Sequence, residues 1–71
     1  MRGLTDLEYG ELRALFGGAG EYTFHGPTID ALVERGRLRK VDAFEDGYRV
    51  VVTDLGKLAM DLWPATRMVQ P

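Results

Sequence analysis

Residues 28–58, TIDALVERGRLRKVDAFEDGYRVVVTDLGKL, decide the fold that we predict for this chain. Apolar residues at helical spacing from Ile29 onward predict a helix. Gly36 is expected to end that helix, because glycine accepts the left-handed backbone of a helix stop. Two runs typical of strands lie on either side of Asp46-Gly47, a pair that favours the two-residue turn of a β-hairpin. The stretch therefore predicts a helix, a β-hairpin and the beginning of another helix.

The predicted turn decides which residues of the hairpin face the core. With Asp46-Gly47 at the centre, Ala43 pairs with Val50, and a shift of one residue would exchange the two faces. The face that we expect to be buried carries Val41, Ala43, Val50 and Val52.

The opposite face of the hairpin is expected to carry Lys40, Asp42, Phe44, Arg49 and Val51. We expect Asp42 and Arg49 to form an exposed ion pair worth under ~1 kcal/mol. A two-stranded sheet needs only one buried face. The apolar pair Phe44 and Val51 therefore implies cover by the C-terminal tail or by a partner.

The residues before this stretch predict a helix and a loop. Thr5 is a good N-cap, and Glu8 three residues later completes a capping box, so a helix is expected to begin there and to end before Gly17. The loop that follows has room for a short strand at 22–24. Pro27 fits the first turn of the second helix, where its missing N–H costs nothing.

The last predicted helix is capped by Thr53. Its buried face is expected to be an apolar stripe at helical spacing, formed by Leu55, Leu58, Ala59 and Leu62. Trp63-Pro64 predicts its end, because the residue before a proline disfavours helical backbone angles. We therefore predict a single domain at 1–63 and a C-terminal tail at 64–71.

Composition excludes several classes of function. The 71 residues include no cysteine, no serine and one histidine, His25. Disulfides, thiolate metal sites and serine nucleophiles are therefore excluded, and we expect no enzyme activity, no metal and no cofactor. The glycine-rich loop at 17–26 follows a helix, whereas a phosphate-binding loop follows a strand.

The expected location is the cytoplasm. No apolar run approaches the ~20 residues of a membrane-spanning helix, so we expect no membrane partner. The acidic residues near the N-terminus are unlike a secretory signal. A core of this size supplies about 3–5 kcal/mol of net stability, so we expect help from ideal local structure, from a partner or from self-association.

The element order predicts an α+β fold, a small winged-helix-like domain with three helices and a two- or three-stranded antiparallel hairpin wing. Three segments resemble MarR-type winged-helix regulators, namely LVERGRLRK at 32–40, EDGYR at 45–49 and TDLGK at 53–57. They resemble the end of the recognition helix with the first wing strand, the wing tip, and the turn into the last helix. The resemblance covers about half of the chain. It implies a minimal, truncated domain, because only residues 17–26 stand where the family has another helix.

The resemblance implies binding of duplex DNA in transcriptional regulation, with the second predicted helix in the major groove. The residues expected to contact bases or phosphates are His25, Thr28, Arg35, Arg37, Arg39, Lys40 and Arg49. The distribution of charge favours DNA binding by this region. Residues 35–49 contain five basic and three acidic side chains, although the whole chain has a net charge of −2. At most about four or five phosphate contacts are expected, which would give weak, salt-dependent binding, and a homodimer would double this footprint.

The alternative is a protein-interaction module on the same scaffold, such as a phage-encoded inhibitor of a host protein (an anti-CRISPR protein or a transcription inhibitor), because a fold does not fix a function. Asp30 and Glu34, on the exposed side of the second helix, would repel phosphate. The residues expected to bind a protein are Phe44, Glu45, Asp46, Val51 and Trp63. Further apolar groups expected at the surface are Tyr22, Phe24 and Met68. The sequence leaves the choice between DNA and protein open, together with the partner's identity and the oligomeric state.

Overall fold

The computed structural model describes residues 3–66, which form three helices and one three-stranded antiparallel sheet. In chain order the elements are α1 (Asp6–Leu15), β1 (Glu21–Phe24), α2 (Pro27–Glu34), β2 (Leu38–Ala43), β3 (Gly47–Val52) and α3 (Asp54–Thr66). β3 lies in the middle of the sheet, between β1 and β2. The predicted α+β class is confirmed, and the three helices with a β-hairpin are consistent with a winged-helix-like domain.

The core lies between the helices and one face of the sheet. Its buried apolar residues come from all three helices, from the residues before α1 and from the hairpin: Leu4, Leu12, Leu15, Ile29, Leu32, Leu38, Val50 and Ala59. Full burial of a leucine or valine side chain contributes about 1.5–3 kcal/mol, so these few residues supply most of the stability. None of the described helices is both long enough and apolar enough to cross a membrane.

The helix ends follow the capping signals. The Glu8 amide donates a hydrogen bond to the Thr5 hydroxyl oxygen at 3.1 Å, and the Thr5 amide donates to the Glu8 carboxylate at 2.8 Å. This reciprocal pair is the predicted capping box. Gly17 and Gly36 have φ values of 79° and 77°, the left-handed conformation expected after α1 and α2. Pro27 lies in the first turn of α2, as predicted.

The hairpin register differs from the predicted one. The observed pairs are Leu38–Val52, Arg39–Val51, Lys40–Val50, Asp42–Arg49 and Ala43–Tyr48. A β-bulge between Lys40 and Asp42 makes Val41 the extra residue. Val41 and Ala43, which were expected in the core, are exposed, and Leu38 is buried in their place. Lys40, the partner of a buried valine, lies on the core side of the sheet and not on the opposite face.

The prediction of an Asp46-Gly47 turn is wrong, because Gly47 is the first residue of β3 and not part of the turn. The two loop residues are Glu45 and Asp46, and the Phe44 amide donates to the Gly47 carbonyl at 2.8 Å across them. Gly47 is buried at the start of β3, where a Cβ atom would lie 2.2 Å from the Thr23 carbonyl oxygen of β1. Only a residue without a side chain allows the two strands to approach so closely.

α3 turns a different side towards the core than the one predicted. Ala59 is buried as expected, but the other residues of the stripe are 40%, 48% and 41% exposed, namely Leu55, Leu58 and Leu62. The core side carries Gly56, Ala59, Met60 and Trp63. The Gly56 amide donates to the hydroxyl oxygen of Thr53, the predicted cap, at 3.0 Å. A Cβ atom on Gly56 would lie 2.3 Å from the Arg37 carbonyl oxygen, so this contact sets the rotation of the helix.

The predicted end of α3 at Trp63-Pro64 is also wrong, because the helix continues to Thr66. Proline inside a helix removes one backbone hydrogen bond and crowds the preceding turn. The Trp63 ring offsets this cost by stacking on Tyr9 of α1, with ring centroids 4.0 Å apart and planes 12° apart. Met68 lies outside the described residues.

We predict that Gly56→Ala lowers the free energy of unfolding by more than about 1 kcal/mol, because the new methyl group meets a backbone carbonyl that cannot move aside. Gly10→Ala in α1 is the matched control, since nothing lies within 4 Å of a Cβ atom there. That substitution should raise the free energy of unfolding by about 0.5–1 kcal/mol. Chemical denaturation measures both values. Equal effects of the two substitutions would contradict the close approach at Gly56.

Candidate functional site

The face of the sheet that points away from the helices carries exposed aromatic and charged side chains. Paired residues of antiparallel strands point to the same side of a sheet. Tyr22 of β1 pairs with Arg49 of β3, Arg49 pairs with Asp42 of β2, and Phe24 pairs with Gly47. The side chains that share this surface, which we call the outer face, are Tyr22, Phe24, Arg39, Asp42, Phe44, Arg49 and Val51.

Three rings of the outer face form one group, the aromatic cluster of Tyr22, Phe24 and Phe44. The ring centroids of Tyr22 and Phe24 are 5.2 Å apart, with an edge-to-face angle of 86°. Those of Tyr22 and Phe44 are 5.9 Å apart at 52°. Such ring pairs attract one another by about 0.5–1.5 kcal/mol. Nevertheless, Tyr22 is 42% exposed, Phe24 is 68% exposed and Phe44 is 48% exposed, so much of their apolar surface is in contact with water.

Gly47 makes room for the aromatic cluster. A Cβ atom on Gly47 would lie 2.9 Å from the ring of Tyr22, so the ring lies over the bare backbone of β3. The Tyr22 hydroxyl donates a hydrogen bond to the Asp46 carboxylate at 2.5 Å. The His25 amide donates to the Asp46 carbonyl oxygen at 3.1 Å. These two bonds tie the hairpin loop to β1 and fix the loop beside the cluster.

Charge on and beside the outer face is only partly compensated. Arg49 donates from Nε to the Gly20 carbonyl oxygen at 3.0 Å, and its Nη1 lies 3.7 Å from an Asp42 carboxylate oxygen. The predicted ion pair of Asp42 with Arg49 is therefore confirmed. Glu45 and Asp46 are exposed, and neither forms an ion pair with any residue in the described part of the chain. The hairpin loop thus presents uncompensated negative charge next to the rings.

A second group of polar side chains lies where β3 meets the start of α2. The Tyr48 hydroxyl donates to an Asp30 carboxylate oxygen at 3.2 Å, and His25 Nδ1 lies 3.6 Å from the same oxygen. Lys40 Nζ lies 5.2 Å from the centroid of the Tyr48 ring, a cation–π distance. Desolvation, and after it the bond to Asp30, raises the pKa of Tyr48. His25 and Lys40, two of the predicted DNA contacts, are therefore engaged with neighbouring side chains.

The other predicted DNA contacts are dispersed. Arg37 is 4% exposed, so its side chain is not available to phosphates. Arg35 donates to the buried carboxylate of Glu8 at 3.2 Å, which joins the end of α2 to the start of α1. Thr28 is half-buried in the first turn of α2, whereas Arg39 is exposed on the outer face. The stretch that is electropositive in sequence is thus divided among several surfaces.

Three of the five residues predicted to bind a protein lie together, because Phe44 is on the outer face beside the loop formed by Glu45 and Asp46. The fourth, Val51, is on the same face but pairs with Arg39 near the other end of the hairpin. The fifth, Trp63, packs against α1. The grouping of Tyr22 and Phe24 with Phe44 was not predicted, because it depends on the pairing of β1 with β3. The spacing of Tyr22 and Phe24, two residues apart in a strand, is the sequence signal that places them on one face.

Comparison of the chain with protein-family models, with curated proteins and with solved structures found no match. The resemblance to MarR-type regulators therefore stays a prediction based on the three segments quoted above. Among residues 3–66, no three histidine, aspartate or glutamate side chains are grouped so that they could hold a metal ion.

We predict that Tyr22→Phe removes the tyrosine that ionises near pH 12. The hydrogen bond to Asp46, with desolvation and the carboxylate charge as smaller causes, raises the pKa of Tyr22 from 10.0 to about 12. Since the folded-state pKa is the higher one, the stability that this group contributes is complete below about pH 10 and is lost as the pH rises towards about 12.

An absorbance titration of tyrosinate, with denaturation at each pH, measures both effects. The natural protein should show a transition near pH 12, and Tyr22→Phe should lack it and lose less stability over that range. Tyr48→Phe is the control, since it also removes one phenol but should keep the transition. If the phenol that is lost in Tyr22→Phe titrates near pH 10 and not near pH 12, the bond to Asp46 is excluded.

Proposed function

We propose that this protein is a protein-interaction module on a winged-helix-like scaffold, and that it binds its partner through the outer face. The observation that carries the proposal is the aromatic cluster, whose three residues are between 42% and 68% exposed. Single exposed apolar side chains are common on soluble proteins, but a contiguous apolar group marks a binding surface. Aromatic residues in particular are enriched in protein interfaces.

The sheet holds the aromatic cluster in place before any partner arrives. Tyr22 contacts both other rings and is bonded to Asp46, and β1 is itself paired with β3. Side chains that are already ordered lose little conformational entropy on binding. Rigid aromatic side chains of this kind are typical hot spots, each contributing about 2 kcal/mol or more to an interface.

The charges of α2 favour a protein over DNA as the partner. Asp30 and Glu34 are exposed on this helix, and both would be repelled by phosphates in a major groove. Arg35 at its end is paired with Glu8, and Arg37 is buried. The helix that would read DNA therefore offers carboxylates where a DNA-binding helix offers cations.

A small rigid module of this kind acts by covering a surface of its target. Small inhibitors that phages direct against host proteins are one such class, and we include that role in the proposal. The support for it is the exposed cluster on a domain with a single core.

We predict that Phe44→Ala weakens binding of the partner by at least about 2 kcal/mol, or roughly thirtyfold. Leu58→Ala is the matched control, because Leu58 has the same 48% exposure as Phe44 but lies on α3. Partners are captured from an extract of the source cell on the immobilised protein and identified by mass spectrometry, and thermal melting checks each fold. A partner lost with Phe44→Ala and kept with Leu58→Ala supports the outer face. A partner lost only with Leu58→Ala would move the binding surface to α3 and contradict the proposal.

Binding of duplex DNA in transcriptional regulation is the second candidate. The observation that favours it is the direct succession of α2 and the β2–β3 hairpin, the order of a recognition helix and its wing. Arg39 and Lys40 are exposed on the first strand of that hairpin.

For this second candidate, we predict that affinity for duplex DNA falls steeply with salt, because phosphate contacts release counterions. Arg39→Ala should lower the slope of log affinity against log salt concentration by about one unit. Arg13→Ala, which removes an exposed cation from α1, is the control and should leave the slope unchanged. Fluorescence anisotropy of a labelled duplex at several salt concentrations measures the slopes. No binding at low salt would exclude this candidate.

A further inference from the structure

We propose further that the aromatic cluster binds a cationic peptide segment, one that carries arginine or lysine. This inference rests on the protein-interaction function proposed above and specifies the chemistry of the partner. Its basis is the position of the hairpin loop, whose residues Glu45 and Asp46 are both exposed carboxylates. Asp46 touches the cluster directly, since its carboxylate accepts the hydrogen bond of the Tyr22 hydroxyl at 2.5 Å.

The nearby cations do not neutralise these two carboxylates. Arg49 is paired with Asp42 at 3.7 Å and bonded to the Gly20 carbonyl oxygen. Arg39 is paired with Val51 near the other end of β2, roughly 15 Å from the hairpin loop at about 3.3 Å per residue. That distance exceeds the Debye length of about 8 Å at physiological ionic strength. The cluster is therefore bordered by negative charge, which a cationic partner complements.

The geometry of the carboxylates and the rings suits arginine and lysine. A carboxylate has about four acceptor positions, so Asp46 can receive a second donor while it keeps its bond to Tyr22. A guanidinium or an ammonium group also binds to the face of an aromatic ring through the cation–π interaction. The chain already uses this combination on the core side of the sheet, where Lys40 Nζ lies 5.2 Å from the Tyr48 ring centroid.

The free edge of β1 can bind an extended peptide segment. In the described sheet, β1 is an edge strand that is paired only with β3. Tyr22 and Phe24 project from β1 to the same side, two residues apart. A segment that runs along this edge reaches both rings and can pair with the backbone of β1, a common mode of peptide recognition.

A single-stranded nucleic acid is the competing occupant, because bases also stack on aromatic residues exposed on a sheet. The negative charge beside the aromatic cluster disfavours binding of a nucleic acid. Phosphates would approach Glu45 and Asp46, and the nearest cation, Arg49, is already paired with Asp42. A peptide with positive charge meets attraction at the same carboxylates that repel a phosphate backbone.

The test selects a random-peptide display library on the immobilised full chain and, in parallel, on its Phe44→Ala variant. Peptides that bind the natural protein but not the variant should be enriched severalfold in arginine and lysine relative to the library. Glu45→Lys should weaken binding of the selected peptides by about tenfold, because it sets a positive charge against their basic residues. Glu34→Lys is the matched control, since it makes the same change of charge at an exposed position on α2 and should leave binding intact. Circular dichroism checks the fold of each variant, and Phe24→Ala replaces Phe44→Ala if the latter is unfolded.

The possible results separate the two proposals. Peptides that depend on Phe44 but show no enrichment in basic residues overturn the inference of a cationic partner and leave the protein-interaction function standing. A library that yields no peptide dependent on Phe44 or Phe24 overturns both. A labelled oligothymidine that binds the natural protein and is lost in Phe44→Ala replaces the peptide with a single-stranded nucleic acid.

Discussion

The contact between Gly47 and the Thr23 carbonyl oxygen is the constraint on which the arrangement of the sheet depends. Because Gly47 has no side chain, β1 can approach β3 closely, and the Tyr22 ring can lie over the backbone of β3. The same approach brings Asp46 within reach of the Tyr22 hydroxyl and of the His25 amide. The three-stranded sheet, the position of the hairpin loop and the grouping of the aromatic rings all follow from this one contact.

The local signals of the sequence predicted the elements well. The capping box of Thr5 and Glu8, the stops at Gly17 and Gly36 and the start at Pro27 each depend on a few neighbouring residues, and the structure confirms them. Signals of this kind are reliable because the physics that they report is local. The fold class then followed from the order of the elements.

Two failures of prediction share one cause, which is that a glycine can be required by a tertiary contact. Asp46-Gly47 has the composition of a tight turn, yet Gly47 is needed for contact with a strand that lies more than twenty residues earlier in the chain. Gly56 likewise makes a tertiary contact, with the Arg37 carbonyl, that sets the rotation of α3 and leaves three leucines exposed. Tertiary contacts of this kind cannot be inferred from spacing. For the same reason, Phe44 was predicted as a surface residue but its association with Tyr22 and Phe24 was not, and the burial of Arg37 was missed by a count of charges.

The bulge at Val41 makes the two borders of the sheet unequal. Because of the bulge, β2 cannot pair along its whole length with a straight neighbouring strand. In addition, Arg39 and Lys40 of β2 would be repelled by the same two cations of a second copy of the chain. β1 has no such interruption, but its four residues are too few to sustain a long ladder. Growth of the sheet by addition of further copies is therefore disfavoured at β2 by the bulge and the charges, and at β1 an added strand is limited to a short one.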